Sequence, residues 1–126
     1  MAYGLWLTEK RDRMNGDRFA AAGDIGRHFP DTDPQWKGAS SLLLLERAAA
    51  VLRARGFDVE NVDATVILER PKLLPHLDAM RANLAAALEI DSSAVSVKAK
   101  TNEGVDSMGR GESMACHAVA LLSTAS

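Results

Sequence analysis

Cysteine is all but missing from this chain. Cys116 is the only one among 126 residues, so no disulfide can form within the chain and a reducing compartment fits. It sits in the apolar run MACHAVALL, where a buried, inert thiol is the expected state. An excess of charge is lacking as well: 15 Lys and Arg against 17 Asp and Glu leave a net charge of −2. That balance gives no electrostatic case for nucleic acid or an anionic membrane. A phosphate site would have to come from local lysines, arginines and backbone amides. No apolar run reaches the roughly eighteen residues of a membrane span. No signal peptide is visible either, so the cytoplasm is the expected location. The three histidines, His28, His76 and His117, have no metal-ligand spacing with one another or with a carboxylate. His117 reads as a satisfied core or interface residue, and His76 as a backbone-bonding residue near a helix start. Order along the chain supports no Ser/His/Asp or Cys/His pairing, and no internal repeat or low-complexity tract is present.

What remains is the composition of an ordinary globular protein, 47% hydrophobic and 25% charged. The length suits one domain over 1–126 with a single core. Residues 1–8 alternate Tyr3, Leu5 and Leu7 and admit a short strand, and 9–18 form a charged run broken by Gly16. Residues 19–22 read as a helix end stopped by Gly23. A helix is predicted over 40–55, capped by Ser40 or Ser41, with Leu42, Leu45, Ala49 and Leu52 on one stripe and Gly56 as its stop. Residues 59–69 then alternate Val62, Ala64, Val66 and Leu68 against Asp63, Thr65 and Ile67, a strand pattern. Pro71 stands where a first helical position is predicted, and Leu73, Leu77, Met80, Leu84 and Leu88 supply a core stripe. Val95, Val97 and Ala99 mark a second strand, and a glycine-rich loop, GVDSMGRGES, follows. The last strand, about 114–122, is apolar on both faces and is placed in the sheet interior or at a subunit contact. Helix, strand, helix, strand, strand implies an α/β (α+β) sandwich, a mixed sheet with helices covering one face.

Four segments could carry chemistry. The loop at 23–34, GDIGRHFPDTDP, is shaped by two glycines and two prolines and presents Asp24, Asp31 and Asp33 outward. That suits hydroxyl groups or a metal, and equally a plain Asx-turn, the commoner outcome. Lys72, at a predicted helix start, could hold a phosphate together with free amides, or be a solvated lysine. Thr101, Asn102 and Glu103 leave a strand end, where ligand contacts or an ordinary polar turn are both common. Arg110, between Gly109 and Gly111, could approach an anion closely.

Together with RPKLLPH at 70–76, KAKTNEG at 98–104 and GRGES at 109–113, the 23–34 loop resembles one family. It is similar to 2-C-methyl-D-erythritol 2,4-cyclodiphosphate synthase of the non-mevalonate isoprenoid pathway, from about Phe19 onward. Each motif alone is weak, and the ordered set is strong. The resemblance implies a phosphorus-oxygen lyase that cyclises a cytidine diphosphate derivative bearing a 2-phosphate and releases CMP. It also implies a homotrimer with sites between subunits and a divalent metal, Zn, Mg or Mn. By the same resemblance Asp24, Gly26, Phe29, Asp31 and Asp33 meet the methylerythritol phosphate end. Leu68, Lys72, Leu73 and Leu74 match the cytidine and diphosphate pocket. Thr101 matches the threonine that polarises the phosphate, Glu103 the carboxylate on a diphosphate-bound Mg²⁺, and Arg110 a phosphate-contacting arginine. Ser107 falls where some members carry an aromatic residue.

The first eighteen or so residues depart from the family. The family holds Zn²⁺ through an Asp-x-His and a further histidine, and places a His-Ser pair near the attacking phosphate. Residues 1–22 contain no histidine, and two N-terminal strands of the family have no counterpart here. The expectation is a synthase-type chain whose N-terminal part is missing or replaced, with weak or no turnover. A non-catalytic trimeric module for a cytidine nucleotide or isoprenoid diphosphate is the alternative. A plain assembly domain is the third reading, and the joint presence of Lys72, Thr101, Glu103 and Arg110 argues against it.

Overall fold

Ser40 opens the first helix described. Its hydroxyl accepts from the Leu42 amide at 3.2 Å, the predicted capping role, and α1 runs Ser41–Ala54. Gly56, at φ +87°, stops it as expected. Ala49 and Leu52 are buried, whereas Leu42, at the start of the predicted stripe, faces solvent. The computed structural model describes residues 28–30 and 32–124. The strand predicted at 1–8, the charged run at 9–18 and the helix end at 19–22 with Gly23 lie outside them.

Strand β1, Phe57–Ile67, starts two residues before the predicted position. A β-bulge between Val59 and Asn61 is the cause, because one extra residue shifts the side-chain alternation by one. Phe57 and Val59 therefore share a face with Val62, Ala64 and Val66 although their parity differs.

Pro71 does not open the second helix. A 3-10 turn forms at Leu74–His76, and α2 begins only at Leu77 and ends at Leu88. Pro75 explains the delay. In a helix starting at Pro71 it would lack the N–H needed by the first carbonyl and would drive Leu74 out of helical geometry. The core stripe still holds: Leu88 is buried, and Leu73, Leu77, Met80 and Leu84 pack on the core. Another 3-10 turn, Ser92–Ala94, is capped by the Asp91 carboxylate, which accepts from the Ser93 amide at 2.8 Å. Strand β2, Val95–Lys100, follows. The glycine-rich stretch contains a one-turn helix, α3, Asp106–Gly109, where only loop was predicted. Strand β3 is Ala115–Thr124.

The sheet order is β2-β1-β3. β1 runs parallel to β2, from Val62 opposite Val95 to Ile67 opposite Lys100, and antiparallel to β3. The sheet is thus mixed, as expected, and α1 and α2 cover one face. Two clusters form there rather than one core: Leu52, Phe57 and Leu122 under α1, and Val66, Ala85, Val95 and Val97 under α2. β3 is not in the sheet interior. It is an edge of the described sheet, with Val119 60% exposed and Cys116 and His117 also exposed.

Candidate functional site

Two parallel neighbours bring their carboxyl ends to the same place. Ile67 and Lys100 are register partners, and the Leu68 amide donates to the Lys100 carbonyl at 2.9 Å. The chain leaves both strands side by side, where open α/β sheets gather ligand groups. β3 lies on the far side of β1 and begins at Ala115, opposite Ile67. The connection at 101–114 must therefore cross the end of β1 and meet the loop at 68–74.

In the 68–74 loop, Leu68 and Leu73 turn inward onto the α2 cluster. Leu74 is 78% exposed, an apolar side chain free to meet a ligand. Lys72 is exposed and pairs with no carboxylate among the described residues. It is not on a helical first turn, since α2 starts five residues later, so helix amides do not assist it.

The second loop is braced by its own side chains. The Asn102 side-chain amide donates to the Val105 carbonyl at 3.1 Å and to the Asp106 carboxylate at 2.8 Å. Asp106 also accepts from the Met108 amide at 2.9 Å. The Asn102 bond above all holds the Asp106 carboxyl below its ordinary value; desolvation opposes it, and the Met108 and Gly109 amides and the charge of Arg110 add smaller contributions in the same direction as Asn102. Thr101 is exposed, its hydroxyl accepting from the Glu103 amide at 3.4 Å. Glu103 is exposed in a left-handed conformation, φ +52°. The Ser107 and Ser113 hydroxyls bond at 2.9 Å.

Arg110 is not an isolated cation. Its guanidinium donates twice to Glu112, at 2.9 and 3.2 Å, a two-pronged pair. Its flanking glycines have a use the sequence did not show. A Cβ at Gly109 would run into the Gly104 backbone, and one at Gly111 would lie 2.7 Å from Arg70 Nη2. They permit protein to approach protein. Sequence reasoning also missed Glu69 and Arg70. The Asn102 amide donates to the Glu69 carboxylate at 3.3 Å, and Arg70 Nη2 donates to the Arg110 carbonyl at 3.1 Å. No local pattern marks them, because their partners come from a different strand end.

Of the 23–34 loop, Asp24, Gly26 and Asp31 lie outside the described residues. Phe29 meets Trp36 edge-on, with centroids 5.0 Å apart. Asp33 caps the 3-10 turn Pro34–Trp36, accepting from the Gln35 amide at 3.1 Å and its side chain at 2.7 Å. That is the Asx-turn reading. Among the described residues, no hydrogen bond or ring contact joins Phe29 or Asp33 to the loops at the strand ends.

Among the described residues no group of three or more His, Cys, Asp or Glu could hold a metal ion, so they do not fit a zinc site. Glu103 fits a lesser part, since a cation already held by a diphosphate needs only one or two protein carboxylates. Cys116, expected buried, is exposed because it lies on the edge strand, and partial desolvation pushes its thiol up. His117 is exposed for the same reason.

The model of the YgbB family matches residues 18–123. A 2-C-methyl-D-erythritol 2,4-cyclodiphosphate synthase of Gloeobacter violaceus is 56% identical over 103 residues, 82% of this chain and 63% of that protein. The protein of the same name from Chromobacterium violaceum is 58% identical over 106 residues, 84% of this chain and 67% of its own length. This chain thus spans roughly two thirds of either relative. A solved 2C-methyl-D-erythritol-2,4-cyclodiphosphate synthase in a CDP-bound form is 35% identical, with a TM-score of 0.72 over 80% of this chain and 65% of that one. The bifunctional IspDF of Campylobacter jejuni reaches a TM-score of 0.76 at 38% identity, covering 82% of this chain and 28% of that one.

Proposed function

The chain belongs to the YgbB family, and from that premise we propose that it acts as a 2-C-methyl-D-erythritol 2,4-cyclodiphosphate synthase in isoprenoid biosynthesis. The substrate is 4-diphosphocytidyl-2-C-methyl-D-erythritol 2-phosphate. An oxygen of the 2-phosphate bonds to the β-phosphorus, and the bond from that phosphorus to the bridging oxygen breaks. CMP leaves with the electron pair, and the cyclic diphosphate remains. The reaction needs little covalent chemistry from protein; it needs two phosphates held in line and their charge screened.

The observation that carries the reading is the adjacency of the 68–74 and 101–112 loops at the ends of two parallel strands. Lys72 binds the diphosphate, and the exposed Leu74 covers the cytosine. Thr101 donates its hydroxyl to a phosphate oxygen as charge develops there. Arg110 exchanges Glu112 for a phosphate. Glu103 offers its carboxylate to a Mg²⁺ or Mn²⁺ on the diphosphate, and such a cation neutralises charge when bound. No step is assigned to zinc, because the described residues do not supply its ligands.

A cytoplasmic homotrimer with sites between subunits belongs to the same reading. Its support is the sheet face opposite the helices, where Ile67, Val119 and Leu121 lie uncovered by any described element. Among the described residues no helix is long and apolar enough to cross a membrane.

The test is turnover of the cytidine substrate with Mg²⁺, following both products. Equal release of CMP and cyclic diphosphate is expected. Binding of CDP with neither product formed would contradict catalysis and leave a nucleotide-binding module.

A further inference from the structure

The residues between β1 and Lys72 do more than connect them. Glu69 and Arg70 are consecutive, and each reaches across to the 101–114 connection. Glu69 accepts from the Asn102 amide at 3.3 Å, and Arg70 Nη2 donates to the Arg110 carbonyl at 3.1 Å. These two contacts grip the beginning and the end of a stretch that contains Glu103 and Arg110 and adjoins Thr101. Between the grips, the stretch is already stiffened. Asn102 bridges to Val105 and Asp106, and the Gly109 backbone lies against Gly104. At Gly111 the missing Cβ lets the Arg70 guanidinium sit directly on the chain. A braced loop anchored by both side-chain contacts as well as by its two strands keeps one position; without the Arg70 contact, its 104–112 portion can shift between the ends of β2 and β3.

We propose that Glu69 and Arg70 are positioning residues, a two-point clamp that holds Thr101, Glu103 and Arg110 in fixed register with Lys72 so that a cytidine diphosphate meets a preformed site. The inference rests on the proposed function for its ligand, but the clamp itself is a property of the apo chain. Neither residue touches the substrate. Their effect is on the fraction of molecules whose loop is in place, and apparent affinity scales with that fraction.

Two readouts on the 126-residue chain test it: calorimetric titration with CDP and Mg²⁺, and amide hydrogen exchange without ligand. In Arg70→Ala the amides of 104–112 exchange faster, those of β1 and α2 exchange as in wild type, and CDP affinity falls about tenfold. Arg70→Lys, which can still donate to the Arg110 carbonyl, recovers most of both, and Glu69→Gln, which keeps an acceptor for Asn102, stays near wild type. Lys72→Ala separates the roles: it loses affinity with loop exchange unchanged. Arg70→Ala with wild-type loop exchange and affinity would overturn the clamp. Faster exchange throughout α2 and β1 would overturn it too, by showing a general loss of stability. If the wild-type chain takes up no CDP, the proposed function and the ligand half of the clamp fail together. The exchange data then decide on the tether alone.

Discussion

In the proposed site, Lys72 is the residue on which CDP binding is expected to depend most. It is exposed and has no carboxylate partner among the described residues, so its charge is available to a diphosphate. A charge-assisted hydrogen bond is worth about 1.5–3 kcal/mol, and exposure puts Lys72 at the low end. Lys72→Ala should weaken CDP binding about tenfold, and less at high salt as screening grows. Unchanged affinity in calorimetry would remove Lys72 from the site. Asp106 gives the second prediction at this scale. Its carboxyl titrates below its ordinary value, so the carboxylate braces the loop above about pH 4, and the brace is lost as pH falls through the lowered value. The Met108 and Gly109 amide signals should broaden at low pH in the wild type, with no such transition in Asp106→Asn. A wild-type loop indifferent to acid would contradict the brace. Sequence marks Lys72, Thr101, Glu103 and Arg110 as candidates, because ordered motifs carry residue identity. It could not reveal Glu69 or Arg70, whose partners are set by strand order. Nor could it show that Gly109 and Gly111 make room for Gly104 and Arg70.

Among the elements, α2 leads from the 68–74 loop toward β2, and Arg81, in its first half, ties the helix to that strand. The Arg81 guanidinium donates to the Val95 carbonyl at 2.9 Å and to the Ser92 carbonyl at 3.0 Å, joining α2 to the start of β2. Its pair with Asp78 counts for little, since the Asp78 side chain is 98% exposed. Arg81→Ala should lower the unfolding free energy by roughly 2 kcal/mol, and Asp78→Ala by less than about 0.5. Urea denaturation reads both, and equal effects would place the contribution in the ion pair instead. The elements themselves were legible where one signal dominates, as in the Ser40 cap and Gly56 stop of α1. They were misread where two signals compete. Pro71 looked like a helix start until Pro75, four residues on, forbade it, and the bulge after Val59 hid the first turns of alternation in β1.

At the scale of the whole molecule, the order β2-β1-β3 does the positioning. A central β1 forces the β2–β3 connection across its end, and that crossing brings 101–112 to 68–74. Element types and helices on one face could be read from periodicity. Strand order could not, because periodicity says which face is buried and nothing about which strand is a neighbour. The apolar final strand reads as sheet interior or subunit contact; it forms an edge of the described sheet, with Val119 60% exposed, which removes the first of these. Everything in the proposed activity depends on the two loops forming one cytidine diphosphate site. The most direct test is a titration of the isotope-labelled chain with CDP and Mg²⁺, followed amide by amide by NMR. The proposed site predicts saturable shifts concentrated in 68–74 and 101–112, rising together along one binding curve. Shifts confined to one loop, spread over the sheet, or absent at saturating CDP would contradict it.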